Sequence, residues 1–389
     1  MMDLTISANI RYIGTNDYDL DLFESQYPLP NGVSYNSYVI LDEKVAVMDT
    51  ADNRKTEEWL ANLERELDGR AVDYLVIHHM EPDHSAGIAL LAERFPEMKL
   101  IGNSKTFMIL SQFTGKDYGE RLMAVKEGDT LSLGEHTLTF LMAPMVHWPE
   151  VMVCYESKEK ILFSADAFGI FGTLDVELDW VTEARRYYFN IVGKYGMQTQ
   201  ALLKKAAGLD IQTICPLHGP MLKENLDYYI GKYDVWSKYE PEDRGVFIAY
   251  ASIHGNTAKA ARELGERFKA AGASLVTLAD LTRSDMSAAV GEAFRHSVTV
   301  LAASSYDAGV FEPMAQFLHR LGHKNFRNRT VALVENGSWG PTAARTMKGY
   351  LEQMKDINLL EPVVTIRSAP TQQNREQLDE LIKVVLDNV

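Results

Sequence analysis

From residue 246 onward the chain reads in alternating blocks. Short apolar runs (VFIAYAS, SLVTLAD, VTVLAAS, TVALVEN and VVTIRSA) are separated by longer stretches in which apolar residues recur every three or four positions. In TAKAARELGERFKAAG the residues Ala258, Ala261, Leu264 and Phe268 share one helical face. Further helical stretches fall around 286–295, 312–321, 342–355 and 374–386. Strands that are apolar throughout, each followed by a helix, predict a doubly wound parallel sheet with both faces covered.

The first part of the chain has a different rhythm. The β-rich runs SYNSYVILDEKVAVMDT, HTLTFLMAP, VMVCYES and KILFSAD mix with helices expected near 54–68 and 104–112. ESKEK reads as a hairpin turn between two of these strands. This is mixed α+β. The polar, proline-containing stretch KYEPEDRG at 238–245 separates the two rhythms, so the expected domains are 1–243 and 244–389. There are no internal repeats and no low-complexity segments.

Composition narrows the functional classes. A length of 389 residues suits two domains, and 46% hydrophobic residues can fill two cores. A net charge of −15 argues against a nucleic-acid partner and against docking on an anionic membrane. The start, MMDLTISANIRYIG, lacks a basic n-region followed by an apolar h-region, and no run approaches the length of a membrane span. A cytoplasmic protein is expected. Its two cysteines, Cys154 and Cys215, are far apart and cannot form a CxxC pair, a four-thiolate iron site or a disulfide framework.

The chemistry concentrates in HHMEPDH, residues 78–84, which follows the apolar strand DYLVI. Sites in layered αβ folds gather at the C-terminal ends of strands. Other candidate donors stand at similar places: His147 after TLTFLMAP, Asp166 at the end of KILFSAD, and His218 after IQTICP. Imidazoles and carboxylates without thiolate suit iron, manganese or zinc. Two acids in the cluster plus Asp166 bring three negative charges, which suits two cations with one carboxylate bridging them. His78 points away from His79 if the strand continues, and reads as a support. His136, His296, His319 and His323 read as surface or packing histidines.

Three loops of the second part carry a second pattern. SIHGNT places Ser252, His254, Gly255, Asn256 and Thr257 between a strand and a helix N-terminus. This is a phosphate cradle without the GK[ST] of a Walker loop. SSYDAGVF contributes Ser304, Ser305, Tyr306, Asp307 and Ala308, and NGSWGPT contributes Asn336, Gly337, Ser338, Trp339 and Gly340. All three lie at strand ends that flank the switch point of a doubly wound sheet. Tyr306 and Trp339 could stack on a flat ring, so a flavin mononucleotide (FMN) site is expected.

Taken together these motifs resemble the flavodiiron proteins, or A-type flavoproteins, over nearly the whole chain. The mark is H-x-E-x-D-H followed by distant H, D and H, with a glutamate where metallo-β-lactamases usually carry a histidine. The stretch DLDLFESQYPLPNGVSYNSYVI is also similar to that family. The resemblance implies a metallo-β-lactamase-like αββα sandwich followed by a flavodoxin-like sheet, with two irons and FMN as cofactors. His79, Glu81 and His147 would bind one iron, Asp83, His84 and His218 the other, and Asp166 would bridge them. The position of His84 can swing away from the metal in relatives. The resemblance further implies reduction of O2 to water or of NO to N2O, with the irons storing two electrons and the flavin two more. It also implies a head-to-tail homodimer or a homotetramer. The chain lacks the cysteines of a rubredoxin domain, so an external donor, a rubredoxin or a separate reductase, is expected.

Two other readings compete. In one, a metal-dependent hydrolase carries a regulatory flavin domain, and bound metal would activate a water. Glu81 argues against it. In the other, an electron carrier has lost its metal chemistry, which the full donor set argues against. Selectivity between O2 and NO is not written in the donor set; Trp148 and Tyr35 are the candidates for it.

Overall fold

The computed structural model describes Leu4 and residues 6–389. It contains two compact units, Met1–Tyr188 with Met197–Asp234, and Phe189–Gly196 with Val235–Val389.

The first unit is built on two sheets. One runs Ile10–Tyr12, Tyr38–Leu41, Val45–Met48, Tyr74–Val76, Lys99–Gly102, Leu122–Ala124 in spatial order, antiparallel at first and then parallel. The other runs Thr130–Ser132, Thr137–Met142, Met152–Glu156, Ile161–Phe163, Thr213–Cys215, with only the last pair parallel. Ile40, Met48, Val76 and Ile101 of the first sheet pack with Phe140, Cys154, Phe163 and Cys215 of the second. Val45–Met48 and Met152–Glu156 are buried at every position, because each is covered on both faces. This is the αββα sandwich the resemblance implies.

The expected helices are Thr56–Leu67 and Ser104–Thr114. The first buries Trp59, Leu63 and Leu67, one per turn. The second starts at Asn103, whose side chain accepts from the Lys105 and Thr106 N–H groups, and stops at Gly115 with φ 63°. The ESKEK hairpin is present: Glu156 faces Ile161, and its carboxylate accepts from the N–H groups of Lys158 and Glu159. Helices Trp180–Tyr187, Gly196–Ala206 and Leu226–Ser237 were not anticipated. Aromatic residues such as Tyr187, Tyr188, Phe189, Tyr233 and Trp236 crowd this region and blur the helical period.

The second unit is a parallel sheet in the order Val276–Asp280, Asp243–Ala251, His296–Tyr306, Arg327–Asn336, then Lys355–Leu359. Numbered along the chain this is 2-1-3-4-5, the flavodoxin order. Asn256–Ala270 and Gln372–Leu386 pack on one core, through Ala261, Leu264, Phe268, Leu378, Leu381 and Val385. One expectation needs correction. The helix predicted over 342–355 is Ala343–Leu351, and Lys355–Leu359 is an edge strand. Val364–Ile366 continues beside the same neighbour, so the fifth strand position is filled by two short segments. The polar KDINL hides its strand character because an edge strand has little to bury. No helix of the described residues is long and apolar enough to cross a membrane.

Candidate metal centre and cofactor cleft

In the first unit four strands, Tyr74–Val76, Thr137–Met142, Ile161–Phe163 and Thr213–Cys215, end at the same place. The loops that follow bring together all seven residues singled out from the sequence. His79, Glu81, His147 and Asp166 form one group, and Asp83, His84 and His218 another. Within each group one donor atom per residue lies within 4.8 Å of the others. All seven are buried. His147 Nε2 lies 3.0 Å from Glu81 Oε2 and 3.0 Å from Asp166 Oδ2. His79 Nε2 is 3.3 Å from Glu81 Oε2 and 3.4 Å from Asp166 Oδ2. On the other side His84 Nε2 is 3.3 Å from Asp83 Oδ2 and 3.3 Å from Asp166 Oδ1. His218 Nε2 is 3.2 Å from Asp83 Oδ2. Asp166 thus turns one oxygen to each group.

Local structure explains the split of HHMEPDH. Glu81 is extended, and Pro82 opens the single helical turn Pro82–Ser85 that swings Asp83 and His84 to the other side. Thr50 fastens that turn through its backbone N–H and its hydroxyl, both donating to the His84 carbonyl, at 2.9 and 2.7 Å.

The imidazoles are oriented from behind. Glu150 Oε1 lies 2.8 Å from His79 Nδ1 and accepts the Met80 N–H at 2.9 Å. The Ser34 carbonyl lies 2.7 Å from His218 Nδ1. Each acceptor places the ring proton on Nδ1 and turns the Nε2 lone pair into the site. His78 is held away by Asp49, 2.5 Å from its Nδ1. His136 and His296 are buried packing residues, and His319 and His323 are exposed.

Sequence reasoning missed Glu150, Ser34 and Tyr187. The Tyr187 ring lies 5.7 Å from that of His218, and its hydroxyl is buried without a hydrogen-bond partner. Trp148 meets His79 edge-on at 5.2 Å, and Tyr35 meets His218 at 6.2 Å.

Electrostatics favour cations here. Burial opposes charge on His84 and His147, but Asp83 and Asp166 raise the first, and Asp166 and Glu81 the second, each to about 9. Burial likewise opposes ionisation of Asp166, yet His79, His147 and His84 hold it well below the usual carboxylate range. Both oxygens of Asp83 and of Asp166 are buried without a hydrogen-bond partner. Such orphaned acceptors are costly unless something positive fills the space between them. A set of nitrogen and oxygen donors without sulfur fits two borderline-to-hard divalent ions. Replacing Glu150 with alanine is expected to lower iron affinity about 10- to 100-fold, since supports of metal-bound histidine carry that much. Timed iron loss to a chelator would check this; wild-type retention would refute the role.

The second unit carries a cleft of about 670 Å³ at the C-terminal edge of its sheet. Every residue named from the three loops lines it except Gly255, and Ile253, Thr342 and Ser368 complete the lining. Gly255 instead makes the turn into the helix, with φ 90° and open space where a Cβ would stand. No side chain caps that helix, so its first N–H groups are free to face an anion. Ser305 spends its hydroxyl on the Thr342 and Ala343 N–H groups, 2.8 and 3.1 Å away. Asn336 bonds to the Ser368 backbone in both directions. These two residues shape the cleft wall. Tyr306 is half exposed and Trp339 is 95% exposed, so both rings are open to a flat ligand.

Comparison with known proteins agrees with this geometry. The family model described as ODP family beta lactamase matches residues 33–219. An uncharacterized protein of Methanocaldococcus jannaschii is 27% identical over 394 residues, covering 100% of this chain and 99% of its own. The anaerobic nitric oxide reductase flavorubredoxin of Vibrio vulnificus is 27% identical over 352 residues, covering 87% of this chain and 70% of its own. Among solved structures, rubredoxin oxygen:oxidoreductase from Desulfovibrio gigas superposes with a TM-score of 0.91 at 26% identity, covering 98% of this chain and 97% of that one. The similarity runs through both units rather than the β-lactamase-like part alone: over most of its length the chain is similar to a flavorubredoxin and to a rubredoxin oxygen:oxidoreductase.

Proposed function

We propose that this chain reduces O2 to water, NO to N2O, or both, at a non-heme diiron site fed by FMN. One observation carries the reading. Asp166 is fully buried between two donor groups, offers one unpartnered oxygen to each, and so has the position of a carboxylate bridge. His79, Glu81 and His147 hold one iron in this reading, and Asp83, His84 and His218 the other. The loops at 252–257, 304–308 and 336–340 hold the FMN. Residues 1–243 serve as the diiron domain and 244–389 as the flavin domain.

Two irons held by these residues would supply the redox chemistry at the first site, and FMN held in the cleft would supply the electrons for it. Four electrons and four protons convert O2 to two waters; two of each convert two NO to N2O and one water. The protein holds the donors still: Glu150 and the Ser34 carbonyl fix two imidazoles in the tautomer that binds metal. Phe23, Tyr35 and Tyr187 crowd His218, with ring centroids 5.5, 6.2 and 5.7 Å away, and keep bulk water off that side. Burial, with the nearby charges of Asp166, Glu81 and Asp83, holds the Tyr187 phenol well above its usual pKa. Its Oη therefore keeps its proton at neutral pH.

An external donor such as a rubredoxin or a reductase supplies the electrons. A head-to-tail homodimer or a homotetramer, in the cytoplasm, is the setting this reading favours. The test is reoxidation of the anaerobically reduced protein, mixed in parallel with O2 and with NO, with iron-free protein as control. Fast, iron-dependent reoxidation by either gas is expected, and the faster gas identifies the preferred substrate. Rates equal to the iron-free control for both gases would overturn the reading.

A further inference from the structure

The helix Glu312–His323 of the second unit ends in HRLGH, which puts two histidines four positions apart. Residues at that spacing are neighbours on one helical face. The helix buries Met314, Phe317, Leu318 and Leu321, and His319 and His323 are left exposed on its outer side. Their ring centroids lie 4.2 Å apart, with the planes tilted by 40°. His323 Nδ1 lies 2.8 Å from the His319 carbonyl oxygen. A carbonyl oxygen can only accept, so Nδ1–H donates to it and the His323 Nε2 lone pair is left free. Among the described residues, no hydrogen bond engages the His319 ring.

We propose that His319 and His323 form a second, surface metal site, which takes one late first-row divalent cation and holds copper(II) most tightly. The proposal does not depend on the iron or flavin reading above. Two histidines at this spacing on a helix are the arrangement by which HExxH helices hold zinc, here without the glutamate that makes such a site hydrolytic. An ion about 2.0–2.1 Å from each of two nitrogens needs them roughly 3 Å apart. Rings with centroids 4.2 Å apart reach that spacing by small side-chain rotations. The hydrogen bond from His323 Nδ1 fixes one ring in the tautomer that binds metal through Nε2, the service that Glu150 and the Ser34 carbonyl perform at the first site. The donors differ from that site in lacking carboxylate. Two imidazoles and water favour copper, nickel and zinc over harder ions, with copper(II) at the top of the stability order. The pair also lies in the last turn of its helix, where the free carbonyls present partial negative charge to a cation. Arg320 and Lys324 are the nearby basic residues along the chain, and the Lys324 ammonium donates to the Asn190 carbonyl.

The experiment titrates Cu2+ into the full, oxidised chain after loading with iron, so that the first site is already filled. It runs at mildly alkaline pH, because imidazole must be unprotonated to bind a metal. Affinity is read by competition with a chelator of known strength. Paramagnetic resonance of the bound copper counts the nitrogens around it, after subtraction of the spectrum recorded before copper is added. Wild type is compared with His319→Ala, His323→Ala and the double variant. Alanine is the best helix former and both positions are exposed, so the variants keep the fold. Wild type is expected to bind one Cu2+ with coupling to two nitrogens. Either single variant should bind it about 10- to 100-fold more weakly, with one nitrogen, because the second imidazole no longer acts at high effective concentration. The double variant should bind no more weakly held copper at this place at all.

Zn2+ and Ni2+, titrated in the same way, should follow copper with lower affinity and the same dependence on both histidines. Equal copper affinity in wild type and both single variants would overturn the proposal, because the ion would then be held elsewhere. A loss in one single variant alone, or a one-nitrogen spectrum in wild type, would also overturn it, since it would show an adventitious ion on a lone imidazole. None of these outcomes bears on gas reduction at the first site, so failure here leaves the proposed function standing.

Discussion

Replacing Asp166 with alanine is expected to abolish iron-dependent reoxidation by O2 and NO, by at least about 100-fold, and to leave flavin reduction untouched. Asp166 Oδ2 lies 3.0 Å from His147 Nε2, and Oδ1 lies 3.3 Å from His84 Nε2. No other residue of the seven turns one oxygen to each group. Its loss removes one of three carboxylate charges from a buried pocket, which leaves two cations undercompensated and no bridge between them. Iron content should fall from two per chain to one or none. Asp166→Asn is the second arm. It keeps the volume and one acceptor oxygen, and it leaves intact the backbone bond from Gly169 N–H to the Asp166 carbonyl. Iron analysis and stopped-flow reoxidation, with flavin content as the folding control, decide the matter. Full iron occupancy with wild-type gas rates in Asp166→Ala would refute the bridging role and with it the proposed diiron chemistry.

Much of this site was legible because its chemistry contradicts its surroundings. HHMEPDH follows an apolar strand, and polar donors at strand ends that should otherwise enter a loop or core stand out. The supports were not legible. Glu150 lies in a loop sequence, MVHWPEV, where a lone acid looks like any solvated loop residue; only the fold shows it 2.8 Å behind His79. The Ser34 carbonyl that orients His218 has no side-chain signature at all. Tyr187 sits in a run of aromatics whose period gives no face preference. In the second unit the parallel strands announced themselves as continuous apolar runs because both faces are covered. The edge strand Lys355–Leu359 did not, because its positions are mostly exposed or half-buried and it follows directly on a helix. The three loops were legible as lining one cleft rather than by their bonds: Ser305 and Asn336 line it, but their side chains are engaged with the protein itself.

Replacing Arg329 with methionine is expected to cost the flavin unit about 3–5 kcal/mol of stability. Arg329 is 2% exposed. Its partners are backbone carbonyls. Nη1 donates to Tyr239, Asn328 and Arg327, at 2.6, 3.0 and 3.2 Å, and Nη2 donates to Glu240 at 3.1 Å and to Phe294. Burial pulls its pKa down to about 9, so it remains charged at neutral pH. One planar guanidinium thereby fastens residues 239–240 and the end of helix Met286–Arg295 to the sheet. Methionine fills similar space but leaves five carbonyls without this donor, several of them buried, and each orphan costs about 1–3 kcal/mol. Lysine restores the charge without the fork, so Arg329→Lys should recover only part of the loss. Urea unfolding followed by flavin fluorescence measures this. The binding cleft begins at Asn336, seven residues further along the same strand and so about 23 Å away. FMN affinity in the folded variant should therefore match wild type while the unfolding midpoint drops. An unchanged midpoint in Arg329→Met would mean that water replaces the guanidinium at no net cost. A lowered FMN affinity at full stability would instead mean that the clamp governs the cleft rather than the fold.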